Sequence, residues 1–202
     1  MFDAHAHIGV PTDNAYVCTS TPEEASLLTP YRYKAAGLLP PNEGEITKLE
    51  EYAEAGWGIG EIGIDRRFPD RTGQIERFRE ALLIAKRHHS LVTIHAVGWT
   101  DVLLSVLEDI KPERFLVHSF SSSTEVAERI ISLGGAISLS PKSKRSKHFD
   151  SLIHTLPFFL TETDMPTGKE EENVLRLFNN ELSEILQRDL GSDKRIRSFF
   201  DS

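Results

Sequence analysis

Residues 58–97 read GIGEIGIDRRFPDRTGQIERFREALLIAKRHHSLVTIHAV and hold one complete strand–helix–strand repeat. GIGEIGID (58–65) is a strand. QIERFREALLIAKRHH (74–89) sets Ile75, Phe78, Leu82 and Ala85 at helical spacing, and LVTIHAV (91–97) is the next strand. Strands that alternate with amphipathic helices build a parallel sheet from βα units. The same alternation continues toward the C-terminus. A helix starts near Thr100, a good N-cap, with Leu103, Val106, Leu107 and Ile110 on one face. RFLVHSF (114–120) follows, then a helix opened by Ser122 with Glu125 three residues on and closed at Gly134 and Gly135. GAISLSP (135–141) and PFFLTETDMP (157–166) are strands separated by residues 148–156, and a last amphipathic helix carries Leu175, Phe178, Leu182 and Ile185. Toward the N-terminus lie a helix, ITKLEEYAEAG (46–56), and the strands YKAAGLLP (33–40), AYVCTS (15–20) and MFDAHAH (1–7).

Eight strands with intervening helices predict an α/β chain folded as a (β/α)8 TIM barrel. With 202 residues, against the about 250 that this fold typically takes, the barrel must be shortened. Residues 8–14, Pro11 among them, are too few for a crossover helix of normal length, so the first helix is predicted to be missing. Its absence should leave apolar barrel surface uncovered. Either the C-terminal segment RIRSFF (195–200) covers it or the chain forms a homodimer through the gap.

Composition narrows the function classes. Hydrophobic content of 39% and charged content of 27% are those of an ordinary globular protein, and residues 1–202 are read as a single domain. No run approaches the ~20 apolar residues of a membrane span, and the N-terminus has no signal-peptide pattern, which predicts a cytoplasmic protein without a membrane partner. Cys18 is the one cysteine, so a transition-metal site must be built from histidines and carboxylates, which favours Zn, Mn or Mg. A formal net charge of −8 argues against non-specific nucleic-acid binding over the whole surface, while leaving room for a local basic patch.

The candidate ligands fall at the C-terminal ends of the predicted strands, the face on which barrel enzymes build their sites. They are His5 and His7 on the first strand, Glu61 on the fourth, His95 on the fifth, His118 on the sixth and Asp164 on the eighth. His5 and His7 are two apart, so an extended strand turns both to one face, with Phe2, Ala4 and Ala6 on the other. A lone His-x-His occurs by chance. Four histidines and two carboxylates together are what a two-metal hydrolytic centre requires, with a carboxylate able to bridge the ions.

FDAHAH, GEIGID, IHA, VHSFS and TETDMP, in that order, resemble the signature segments of the TatD family of metal-dependent deoxyribonucleases, within the amidohydrolase-type TIM barrels; the resemblance covers roughly residues 1–185. It implies that His5, His7 and Asp164 hold one divalent ion (Mg, Mn or Zn), that His95 and His118 hold a second, and that Glu61 bridges them. Such a centre activates water for attack on a phosphodiester, with Glu61 and Asp164 as the catalytic residues and Asp164 as proton acceptor. Glu162 is placed to orient a ligand or to cap the neighbouring loop. The substrate implied is DNA or a small phosphodiester.

The chain departs from the family pattern where substrate would be met. Leu39 stands in place of the histidine of Gly-Leu-His-Pro, and Val97 in place of an arginine two residues after the metal-binding His95. Arg66 and Arg67 after Asp65, and Lys142, Lys144 and Arg145 in the run KSKRSKH (142–148), are the candidate substrate-binding cations. Trp57 and Trp99 are read as core or rim packing, with stacking on a base as the other role of Trp99. Two alternative readings stay open: a metal-dependent hydrolase of a small amide, lactone or phosphoester, and a weakly catalytic barrel acting as a binding protein.

Overall fold

The computed structural model describes residues 1–42, 44–190 and 194–201. Eight parallel strands run in the order of the chain: β1 (Asp3–Ala6), β2 (Ala15–Cys18), β3 (Lys34–Leu38), β4 (Gly58–Asp65), β5 (Val92–Val97), β6 (Phe115–Val117), β7 (Gly135–Leu139) and β8 (Leu160–Thr161). The first strand meets the last through a parallel bridge, His7 to Pro166, and through backbone bonds such as His7 N to Met165 O and Asp164 N to His5 O. The sheet therefore closes on itself as a TIM barrel, as the alternating pattern predicts. Around it lie α1 (Lys48–Glu54), α2 (Arg71–Arg87), α3 (Thr100–Ile110), α4 (Thr124–Ser132), α5 (Phe149–Thr155), α6 (Lys169–Leu186) and α7 (Lys194–Asp201).

Local sequence accounts for the element boundaries. Asp70, in a left-handed conformation, caps α2 by accepting a hydrogen bond from Gly73 N at 3.0 Å. The cap of α3 lies one residue earlier than expected: Trp99 is the N-cap and Thr100 the first helical residue. The cap of α4 is Ser123 rather than Ser122. The expected eighth strand, 157–166, is regular only over Leu160–Thr161; beyond it Glu162 and Asp164 turn their side chains toward the barrel mouth, while Thr163 bonds to the Asp3 carboxylate. Residues 148–156, unassigned from sequence, contain α5.

No helix joins β1 to β2, in agreement with the short gap. The C-terminal segment does not fill the flank that this leaves. The outer side chains Ala6, Ala15 and Val17 are buried under Leu28 and Tyr31, which come from a 3₁₀ segment, Pro22–Leu28, and the residues after it. The Tyr31 hydroxyl ties down the short loop by donating to Gly9 O at 2.8 Å and accepting from Gly9 N at 2.9 Å. The C-terminal segment goes elsewhere: α7 plugs the N-terminal mouth, with Phe200 against Phe2 (ring centroids 5.0 Å apart) and Tyr16 (4.7 Å).

Strict alternation along β1 also fails. Phe2 and Ala4 pack with Tyr16, Tyr33, Leu116 and Leu160 inside the lower barrel, while Ala6 packs outside with Val17. The pairing register with β2 shifts between Asp3 and Ala6, and such an irregularity re-aims side chains along a strand. The large apolar core lies between the outer face of β3–β7 and the helices, around Ile59, Ile64, Phe78, Leu82, Ile94, Phe115 and Leu152.

Candidate metal centre

Six side chains named from the sequence meet at the C-terminal mouth. Glu61 is central. Its Oε1 is 2.7 Å from His118 Nε2 and 3.0 Å from His95 Nδ1, and its Oε2 is 3.7 Å from His5 Nε2 and 4.0 Å from His7 Nε2. Asp164 Oδ1 is 3.0 Å from His7 Nε2 and 3.8 Å from His5 Nε2. Close backbone packing positions Glu61: its N–H donates to Thr19 O at 2.9 Å, and a Cβ on Gly37 of β3 would lie 2.1 Å from Glu61 N, so only glycine lets the two strands approach there. Asp164 has φ 57°, a left-handed conformation in which the chain turns immediately after the eighth strand.

These groups fit divalent metal. Three sets of three offer ligand atoms close together: His5, His7 and Glu61; Glu61, His95 and His118; and His5, His118 and Asp164. Both ring nitrogens of His5 are buried with no hydrogen-bond partner in the described structure, an expensive state for a polar group. The oxygens that face His5 stand too far for hydrogen bonds, yet nearer than twice the roughly 2.0–2.2 Å of a metal–ligand bond. An all-nitrogen-and-oxygen donor set is that of Zn, Mn or Mg.

The electrostatics of the site divide the imidazoles. Burial, reinforced by neighbouring His118, pushes His5 well below the ordinary histidine value and keeps it neutral, the form that binds metal. Burial would lower His118 too, but the Glu61 and Glu162 carboxylates on either side raise it well above that value. His7 is opposed by burial and raised by its hydrogen bond to Asp164 and by Glu61. Burial would raise the Glu61 carboxyl; the His118 charge, with hydrogen bonds from His118 and His95, holds it well below the carboxylate range. Asp164 is likewise raised by burial and held low by His7, His118, His5 and Lys142.

A supporting layer orients these side chains. Glu162 Oε1 lies 3.3 Å from His118 Nδ1 and its other oxygen accepts from Ser138, so Glu162 orients His118, one of the two roles offered for it. Asp65 does the same for His95, with Oδ2 3.1 Å from Nε2. Asp65 was not singled out from the sequence, although its place at the end of GEIGID, four residues after Glu61 and thus on the same face, was a usable signal. Burial raises Asp65 but bonds from Arg67 and His95 bring it down to about 2.

Beside the centre opens a cleft of about 780 Å3, lined by Arg66, Arg67, Ser119, Lys142, Lys147 and His148 among others. The candidate cations therefore divide. Arg66 lines the cleft, and its stem covers Gly98. Arg67 also lines it while paired with Asp65. Lys142 Nζ reaches Asp164 Oδ2 at 2.6 Å. Lys144 instead pairs with Glu181 of α6, and neither it nor Arg145 is part of the cleft wall. Lys147 and His148, from the same run, are part of that wall. Both tryptophans pack: Trp57 stacks on Tyr52 at 5.1 Å beneath Lys34, and Trp99 lies under Arg71 at 5.4 Å.

The chain is 28% identical over 176 residues to an uncharacterized metal-dependent hydrolase of Methanocaldococcus jannaschii, covering 83% of this chain and 69% of that one. It is 29% identical over 155 residues to human deoxyribonuclease TATDN3, covering 68% of this chain and 57% of that protein, so it spans little more than half the human relative. The structure of YJJV, a TatD homolog from Escherichia coli K12, superposes with TM-score 0.73 at 26% identity over 93% of this chain and 83% of that chain. A TatD-like protein from Archaeoglobus fulgidus shares the fold, with TM-score 0.64 at 17% identity over the whole of both chains. The family described as TatD related DNase matches residues 6–188, and the chain belongs to that family.

Proposed function

We propose that the protein is a divalent-metal-dependent hydrolase of phosphodiesters, with DNA as substrate. One observation carries this reading: four histidines and two carboxylates converge at the mouth, and the His5 nitrogens there have no partner from the protein. His5, His7 and Asp164 would hold one ion, His95 and His118 the other, and Glu61 would lie between them. When bound, such ions supply Lewis-acid polarisation of the phosphoryl oxygen and a lowered pKa for the attacking water.

The protein groups do the rest. Asp164, kept ionised by its neighbours, accepts the proton of the attacking water. Glu162 and Asp65 hold His118 and His95 in one ring orientation. Arg66, Lys142 and Lys147 draw the phosphate backbone into the cleft and supply positive charge where Val97 replaces the family arginine. Human TATDN3 is named a deoxyribonuclease, which supports DNA over a small amide or lactone.

Metal-stripped protein reloaded with Mg, Mn or Zn and assayed in parallel on single-stranded DNA, duplex DNA, a generic phosphodiester and a panel of small amides tests the reading. Metal-dependent cleavage of DNA, with single strands preferred because a flexible end reaches a recessed site, is the expected result. Absence of DNA cleavage with every metal, together with turnover of an amide or small ester, would transfer the centre to small-molecule hydrolysis.

A further inference from the structure

The cleft beside the metal centre is larger than a phosphodiester group needs: at about 780 Å3 it falls among pockets that enclose a whole small ligand. Its charge is divided by strand. Arg66 and Arg67 follow β4, and Lys142, Lys147 and His148 follow β7, so cations flank the cleft on two sides. Between these flanks lie β5 and β6, and the lining residues that follow His95 and His118 there carry no charge. Val97 and Val126 are half-buried members of that lining and keep exposed surface, while the buried Leu103, Val117 and Phe120 complete the wall. Val126 also packs against the large core; Val97 is part of no apolar cluster, so contact within the protein does not account for its place in the wall.

We infer that this neutral bay over β5 and β6 receives the nucleobase of the nucleotide whose phosphate lies at the metal centre, an inference that rests on the phosphodiester reading. A base has apolar faces and an edge of mixed donors and acceptors. Val97 and Val126 supply the apolar contact, and the hydroxyls of Thr100, Ser121 and Ser122, in the same lining, can each donate and accept. Such hydroxyls suit either edge pattern, so the bay distinguishes a base from no base rather than one base from another. Ser119, directly after His118, takes a left-handed φ of 46°, and its hydroxyl is 2.8 Å from Ser140 Oγ, which holds the turn leading from the metal centre to the bay. The flanks serve the phosphates. Arg67 is engaged by Asp65 and Lys142 by Asp164, whereas Arg66 and Lys147 pair with no described carboxylate, so one such cation stands on each side of the bay for a backbone that crosses it.

Fluorescence anisotropy on the metal-loaded full chain, with two short end-labelled single strands of equal length, tests the bay. Both carry phosphorothioate linkages, which slow hydrolysis; one bears thymines and the other is abasic. The thymine strand should bind about tenfold tighter or better. Val97→Gln and Val126→Gln put a polar group on the half-exposed wall, and each should cut that preference to about threefold or less, with abasic affinity and Tm as in the parent. Lys147→Ala should weaken both strands and leave the preference unchanged. The inference is overturned if neither strand binds, if the parent binds both equally, or if the preference survives both valine variants. Turnover of methyl p-nitrophenyl phosphate separates it from the reading beneath it: metal-dependent hydrolysis with equal strand affinities removes the bay and keeps the phosphodiesterase, whereas a thymine preference without hydrolysis removes the phosphodiesterase and keeps the bay.

Discussion

Removing the metal should cost this protein measurable stability, and Glu61→Gln should remove most of that difference. Without an ion, His5 Nε2, which faces Glu61 and Asp164, lies buried and unpaired among the described residues, at a cost of about 1–3 kcal/mol. Ions that bind only the folded chain add about 2.7 kcal/mol at a concentration one hundred times Kd. For a chain of this length each kcal/mol moves Tm by about 2–4 °C, so loading should raise Tm by about 5–11 °C. Glu61 reaches all four histidines, at 2.7–4.0 Å, so loss of its charge weakens every ligand set in which it takes part. Differential scanning calorimetry of chelator-stripped protein, alone and reloaded with Zn, Mn or Mg, measures the effect. Equal Tm for stripped and reloaded protein with all three metals, or an undiminished shift in Glu61→Gln, would refute the assignment.

Glu162→Gln should keep the barrel intact but release the His118 ring, lowering metal affinity or turnover about 10- to 100-fold; parent-like metal binding and turnover would show that Glu162 only caps its loop. Lys142→Ala with Lys147→Ala should flatten the logarithmic salt dependence of single-strand binding by about 0.7 for each phosphate no longer neutralised, whereas Lys144→Ala, whose amine pairs with Glu181 outside the cleft, should not. Equal effects from all three would mean that the run acts only as diffuse charge. Alkaline pH should loosen α7. Burial and the bond to Asp201 at 2.5 Å raise the Tyr33 pKa, so its contribution is complete below the unfolded value near 10 and disappears as pH rises through the folded value. Hydrogen exchange of α7 should accelerate there in the parent and not in Tyr33→Phe.

Most of the candidate metal centre was legible because barrel geometry converts strand order into position. A ligand at the C-terminal end of any strand arrives at the same mouth, so His5, His7, Glu61, His95, His118 and Asp164 could be grouped before any distance was known. Asp65 stands four residues beyond Glu61 and so on the same face of the strand, but its hold on His95 shows only when the next strand is seen against it. Lys142, Lys144 and Arg145 were grouped by charge, and a 3₁₀ turn, Pro141–Arg145, separates them, sending Lys142 to Asp164 and Lys144 to α6.

The sequence alone determined the eight-strand alternation, the loss of the first helix and which histidines and carboxylates gather at one mouth, because hydrophobic period and chain length act locally and residues 8–14 have no room for a crossover. Only the tertiary structure decided what covers the exposed flank and what plugs the lower mouth. Tyr31 and Leu28 on one side, and Phe200 on the other, are apolar residues whose partners lie on distant strands, and their own neighbours in the chain carry no trace of that choice. The shift within β1 is of the same kind: alternation predicts one face for Phe2, Ala4 and Ala6, but closing the barrel against Asp164 and Thr167 re-aims the strand between Asp3 and Ala6.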